Sequence, residues 1–284
     1  MLSRTVRVGL ALICVTGLIA SAAAGTAAAT GPRARASIVG GTPASIQDWG
    51  FTVAVLTPHT LCTGSVISPT RVLTAAHCVG NPGSMAVRAK STSAFGGGES
   101  LGVSAIAINP AWAHGFGGDL AILTLGTPTT APSIQLADAT EDSTYTRPGA
   151  VVSVAGFGTR KPAVLPKAKV GLLTATHVFV QGFCPLPPWA ICNSGGPSGL
   201  IARRKIGRKV RRRPVQRTIC AGDSGGPMVA TTPVGLRLVG VAEATASPSK
   251  RSPFGFVHCG LKGYPAIHTR VALWSSFIQG NLAP

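Results

Sequence analysis

Apolar residues along the 284-residue chain fall in short runs cut by glycine and proline, and no sustained 3.6-residue apolar stripe runs through its body. With 36 glycines and 22 prolines to turn the chain, this pattern predicts many short strands joined by turns. One run stands apart. Residues 8–20 are apolar, Arg4 and Arg7 precede them, and the small residues 21–29 follow. That is the layout of a secretory signal, with Ala22-Ala23-Ala24 and Ala27-Ala28-Ala29 as alternative cleavage sites. The rival is an uncleaved anchor, because residues 8–29 just reach the length that spans a bilayer. Their second half is mostly alanine, glycine and threonine rather than leucine or isoleucine, which favours export and removal. No second long apolar segment follows, so a secreted, extracellular protein with no membrane contact after signal removal is expected.

Size and composition allow a globular enzyme, since 45% hydrophobic residues over this length can fill one large core or two small ones. Of seven cysteines, Cys14 lies in the signal, leaving Cys62, Cys78, Cys184, Cys192, Cys220 and Cys259. An even set in an exported chain suits three disulfides, although six cysteines permit 15 pairings and counting selects none of them. Metal binding is the competing reading. No Cys-x-x-Cys pair occurs, and the neighbours His77-Cys78 and His258-Cys259 do not repeat ligand spacing, so no metal or cofactor is expected.

The chemistry concentrates in three segments. Ile219-Cys220-Ala221-Gly222-Asp223-Ser224-Gly225-Gly226-Pro227 sets a serine among glycines, where a carbonyl can approach the backbone and N–H groups can converge on it. A serine is a weak nucleophile at neutral pH and needs a base, which in turn needs an orienting group. Leu73-Thr74-Ala75-Ala76-His77-Cys78 offers the base. Gly118-Asp119, heading the apolar run Leu120-Ala121-Ile122-Leu123, offers a buried carboxylate. The chain has eight acidic residues, and Asp48, Asp138 and Asp142 lack such a run. Taken singly, His77 would read as a satisfied core histidine and Asp119 as a strand-end cap. Their order, His then Asp then Ser, weighs against both.

From Ile38-Val39-Gly40-Gly41 to the segment 274–278, the chain resembles the trypsin and chymotrypsin family of secreted serine proteases. The resemblance implies an all-β fold of two antiparallel six-stranded β-barrels with a short C-terminal helix near residues 273–279 and a link near 140–149. It implies a serine endopeptidase in which Ser224 attacks the scissile carbonyl, His77 shuttles the proton and Asp119 fixes the imidazole tautomer. The Gly222 and Ser224 amides would form the oxyanion hole. Cleavage before Ile38 would free an α-amine to pair with Asp223, making residues 30–37 a short propeptide and 38–284 the protease domain. Ser37 departs from the basic residue usual at that junction, whereas Arg33 and Arg35 invite cleavage nearby. The implied disulfides are Cys62 with Cys78, Cys184 with Cys192, and Cys220 with Cys259.

Specificity follows from departures. Thr218 stands where trypsin-like members carry an aspartate at the pocket base, and Ala266 replaces a pocket-wall glycine, so Lys and Arg are disfavoured and small or medium apolar side chains preferred. Residues 240–245, with Glu243 and Thr245, occupy the place of the family's cleft-lining serine, tryptophan and glycine; a Glu243 that faces the triad would impair catalysis. Charge adds one more feature. Nine basic residues and no acid lie in the stretch that begins at Arg203 and ends at Arg217, out of a net charge of +18 for the chain and +14 without residues 1–37. That stretch reads either as a solvated, mobile loop or as a rim contacting acidic protein, polyanionic glycan or nucleic acid. It has no aromatic residue to stack a base, which disfavours specific nucleic-acid recognition. The expected partner is a protein or peptide substrate, and a monomer is the family default. The alternative function is a catalytically weak cationic binding protein on the same scaffold; an esterase of similar mechanism is disfavoured because the chain order is His, Asp, Ser.

Overall fold

The computed structural model describes residues 38–113, 117–158, 171–182, 184, 188–206, 209–249, 252–254, 259–260 and 262–282. The expected signal, propeptide and His258 lie outside them. After β1 (Thr42–Pro43) come β2 (Thr52–Leu56), β3 (Leu61–Ser68), β4 (Arg71–Thr74), β5 (Ala86–Ala89), β6 (Glu99–Ile108) and β7 (Ala121–Leu125). These six antiparallel strands close a barrel in the order β2-β3-β4-β7-β6-β5. The period of two explains the closure: on β5, Val87 and Ala89 are buried while Ala86 and Arg88 are half-buried, and on β6 Leu101 and Val103 point inward. Val53, Val55, Val66, Val72 and Leu123 fill the interior with them.

The second half contains β8 (Gln135–Leu136), β9 (Val151–Gly156), β10 (Thr174–Val180), β11 (Ala190–Ser194), β12 (Pro197–Ile206), β13 (Lys209–Gln216), β14 (Pro227–Thr232), β15 (Gly235–Ser249), β16 (Ser252–Phe254) and β17 (Ala266–Arg270). β9 pairs with both β14 and β10, so the path β10-β11-β17-β15-β14-β9 returns on itself as a second six-stranded antiparallel barrel. Val152, Val154, Val178, Ile191, Met228 and Val239 fill it. The protein therefore has the expected all-β, two-barrel architecture.

Helix Ala139–Tyr145 lies in the chain between β8 and β9 and overlaps residues 140–149. Asp138 caps it by accepting from the Glu141 amide, with the reciprocal Glu141 bond completing a capping box. Asp142 is spent on an ion pair with Arg270 of β17. At the end of the chain, helix Ser275–Gly280 follows a 3₁₀ turn, Ala272–Trp274, and its fully buried Ile278 joins the core of the first barrel. Arg71 Nε donates to the Asn281 carbonyl (2.9 Å), fastening the same end to β4.

Disulfides join Cys62 to Cys78, Cys184 to Cys192, and Cys220 to Cys259. Each such bond typically contributes about 2–4 kcal/mol. The basic stretch is a correction to its reading as a loop. Its backbone forms the antiparallel pair β12 and β13, with Arg203 opposite Arg212 and Arg204 opposite Arg211.

Candidate active site

Strand β4 ends at Thr74, and a 3₁₀ turn over Ala76–Cys78 projects His77. The Cys78 disulfide ties this turn to β3. Asp119 is fully buried at the head of β7, where Leu120, Ala121, Ile122 and Leu123 anchor the strand in the core. It grips the histidine at two points. Asp119 Oδ1 accepts from the His77 backbone N–H (2.9 Å), and Oδ2 lies 2.5 Å from His77 Nδ1. Burial opposes the imidazolium, but the hydrogen bond and charge of Asp119, helped by the charge of Glu243, outweigh it and raise the His77 pKa. With Nδ1 so engaged, Nε2 is the ring nitrogen left for proton exchange, and a third of the side chain stays exposed.

The serine loop is pinned to both barrels. Thr63 of β3 donates its N–H to the Ser224 carbonyl (2.8 Å) and its Oγ1 to the Gly222 carbonyl (2.9 Å). Gly225 N–H donates to the Ala242 carbonyl of β15 (2.7 Å), and Ala242 N–H returns a bond to Gly226 (2.9 Å). Two glycines permit this path, since Gly222 and Gly225 have φ of +92° and +79°. A Cβ on Gly225 would collide with Thr74 Oγ1 and the Thr63 carbonyl, so the loop lies against the segment leading to His77. The donors in these contacts are Thr63, Gly225 and Ala242. The amides of Gly222 and Ser224 are not among them.

Asp223 is fully buried and accepts from Gly158 N–H (2.8 Å) and Cys220 N–H (2.7 Å). Burial pushes its pKa up to about 7 against the pull of those two bonds. Ile38 is also fully buried. Its nitrogen, still in peptide linkage to Ser37, donates to Thr174 Oγ1 (2.9 Å). Thr174 pairs with Gly156, and a Cβ on Gly156 would strike the Asp223 carboxylate, so Ile38 and Asp223 abut the same rung of β9 and β10.

Thr218, Thr245 and Ala266 are all buried. Thr245 faces Ala266 across β15 and β17, and Asn193 of β11 faces Ala266 on its other side. Thr218 forms a bridge with Val39, and its Oγ1 has no hydrogen-bond partner. Asn193 Nδ2 lies 2.8 Å from His268 Nδ1, and burial depresses the His268 pKa to about 3, leaving that ring neutral. Glu243 is buried on a bulge between Ala242 and Ala244 of β15, with Oε2 accepting from Thr269 Oγ1 (2.9 Å). Burial, then the charge of Asp119, pushes its pKa up to about 7, with Thr269 and His77 pulling the other way.

Donor atoms of Cys62, His77 and Cys78 lie within 4.8 Å of one another. The two sulfurs are bonded to each other and the His77 Nδ1 faces Asp119, so this set has no thiolate to offer an ion. Sequence reasoning missed Thr63, Thr174, Thr269, Asn193 and His268. Each acts across a strand pair or between loops, and no local motif marks them.

Comparison with known proteins agrees with the fold. The trypsin family model matches residues 38–278. A trypsin of Saccharopolyspora erythraea is 32% identical over 229 residues, covering 75% of this chain and 90% of that protein. Chymotrypsin-like elastase family member 1 of Canis lupus familiaris is 26% identical over 269 residues, covering 89% of this chain and 95% of the relative. Hypodermin-B of Hypoderma lineatum is 27% identical over 259 residues, covering 88% and 89% respectively. With a matching family model over most of its length and two closed barrels, this chain belongs to the trypsin family of serine proteases.

Proposed function

We propose that the chain is the precursor of a secreted serine endopeptidase whose catalytic residues are His77, Asp119 and Ser224. The observation that carries the reading is the two-point grip of buried Asp119 on His77, beside a serine loop pinned by Thr63 and Ala242. In this mechanism His77 Nε2 takes the proton of Ser224 Oγ as the oxygen attacks the scissile carbonyl. Asp119 holds the tautomer and stabilises the imidazolium that forms. The uncommitted Gly222 and Ser224 amides receive the oxyanion, and a single donor of this kind is typically worth about 100- to 1000-fold in turnover. His77 then protonates the leaving amine, and water repeats the cycle on the acyl-enzyme. Residues 1–29 act as the export signal and 30–37 as a propeptide. Cleavage before Ile38 yields an ammonium group to replace the Thr174 hydrogen bond and pair with Asp223. No helix among the described residues is long and apolar enough to cross a membrane.

The uncharged side chains of Thr218, Thr245 and Ala266 support a small or medium uncharged side chain before the cleaved bond, and themselves offer a Lys or Arg no carboxylate. The test is labelling of the processed protein by a fluorophosphonate probe, with Ser224→Ala as control. Labelling that disappears in the control is expected; a processed protein that stays unlabelled refutes the reading. A second reading, a cationic binding protein, is favoured by the hairpin of β12 and β13 alone, whose backbone register sets Arg203 opposite Arg212 and Arg204 opposite Arg211, a like-charge register that disfavours pairing by repulsion. An anionic partner would relieve that repulsion. Retention on a sulfated polysaccharide that falls steeply with salt, without peptide hydrolysis, would favour it.

A further inference from the structure

Glu243 is a carboxylic acid placed inside the site by a local break in strand pairing. On β15, Ala242 pairs with His268 and Ala244 with Ile267, so Glu243 is the extra residue of a bulge, a device that re-aims a side chain. Ala242, its neighbour, exchanges backbone hydrogen bonds with Gly225 and Gly226, directly after Ser224. The side chain is buried and takes one hydrogen bond from Thr269. Its charge raises the His77 pKa, and the charge of Asp119 raises its own.

We propose that Glu243 is a positioning residue that works through His77: seated on the bulge beside the serine loop, its carboxyl sets how firmly the imidazole holds a proton. The inference rests on the endopeptidase reading. With Glu243 protonated, His77 has one carboxylate beside it, that of Asp119. With Glu243 ionised it has two, and the imidazolium is held longer as pH rises. The surrounding charges leave His77 as its responsive partner. On β17, His268 is neutral and bound to Asn193, Thr269 is a neutral donor and Arg270 is paired with Asp142. In the serine loop, Asp223 is held by the Gly158 and Cys220 amides. Burial and the charge of Asp119 push the Glu243 pKa up to about 7, and the Glu243 charge in turn raises that of His77, so the two titrations are coupled.

Two measurements test this together. One is the pH profile of kcat/KM on a neutral peptide for the processed protein and its Glu243→Gln and Glu243→Ser variants. The other is proton NMR titration of the His77 ring in the Ser224→Ala background, with and without Glu243→Gln, which needs no turnover. Both midpoints are expected to fall by about one pH unit when the carboxyl is removed. Superimposable midpoints overturn the proposal, even where kcat/KM drops, because that drop would report only lost packing. Should both Glu243 variants fail to fold, Thr269→Val keeps the carboxyl but removes its hydrogen bond. It is then expected to raise the Glu243-linked inflection of the His77 shift, and an unmoved inflection overturns the idea. An inert, unlabelled native protein would refute the endopeptidase reading, while the NMR titration still decides the role of Glu243.

Discussion

Cleavage before Ile38 should change how stability depends on pH, and the size of the change follows from Asp223. In the uncleaved chain this carboxyl is fully buried, has two backbone donors, and has its pKa pushed from 3.8 to about 7 by burial. A carboxyl whose pKa is raised by folding binds more protons folded than unfolded between those values. Its contribution therefore falls as pH rises from about 4 to 7, levelling at a penalty of about 4 kcal/mol above that range. Cleavage places an ammonium group on Ile38, which abuts the same rung, and the ion pair removes the penalty. Glu243 has a raised pKa too, but it is present in both forms and cancels in their difference. The assay is urea unfolding of a Ser224→Ala precursor, which cannot digest itself, and of its cleaved counterpart, from acid to neutral pH. The precursor should lose about 4 kcal/mol more than the cleaved form across that window, or roughly 8 to 16 °C in Tm. Asp223→Asn in the precursor should remove the excess slope. Equal slopes for precursor and cleaved protein would refute the pairing of Ile38 with Asp223.

Other changes have equally definite outcomes. Asp119→Asn keeps the shape of the grip but inverts the preferred imidazole tautomer, so kcat should fall about 10,000-fold, the size found for the same change in the family's template, while urea unfolding changes little. Gly225→Ala forces a side chain onto Thr74 and Thr63 at a positive φ, and fluorophosphonate labelling should disappear. Ile278→Ala empties a fully buried site between the C-terminal helix and the first barrel, and should cost about 2–5 kcal/mol in chemical denaturation with labelling retained.

A mostly β body was legible because the apolar runs are short and broken by glycine and proline, whereas the two barrels were expected only from the resemblance to the trypsin family. The candidate triad segments were legible because each carries its chemistry in consecutive residues. The basic stretch was not. Arginines facing arginines across a hairpin work against pairing, yet the backbone pairs β12 with β13, and both strands are anchored at their base by Gln216 donating to Gly260 and Arg217 donating to Gly196. Thr174 and Thr63 were invisible for a different reason. Thr174 meets Ile38 across 136 positions of sequence, and Thr63 meets Gly222 across 159, so only the closed barrels bring them together. Glu243 lay between these cases. Its identity was plain, but where its side chain goes depends on a one-residue bulge, and strand alternation turns on such a shift.

Three of the chain's eight acidic residues, Asp119, Asp223 and Glu243, are buried around the serine loop, although the net charge is +18. A buried carboxylate without a cation is unstable, and a permanent lysine or arginine beside each would be the simplest remedy. Among the described residues the structure uses none: Asp119 faces a histidine, Asp223 faces two amides, and Glu243 faces a threonine. On the proposed mechanism each acquires its countercharge only at a particular stage. Asp119 meets an imidazolium when the serine gives up its proton, and Asp223 meets an ammonium once the chain is cut. Glu243 is neutral while it keeps its proton, and once ionised it meets the imidazolium of His77. A fixed cation at any of the three places would hold the site in a single charge state, and the proton cycle of His77 or the difference between precursor and processed enzyme would be lost.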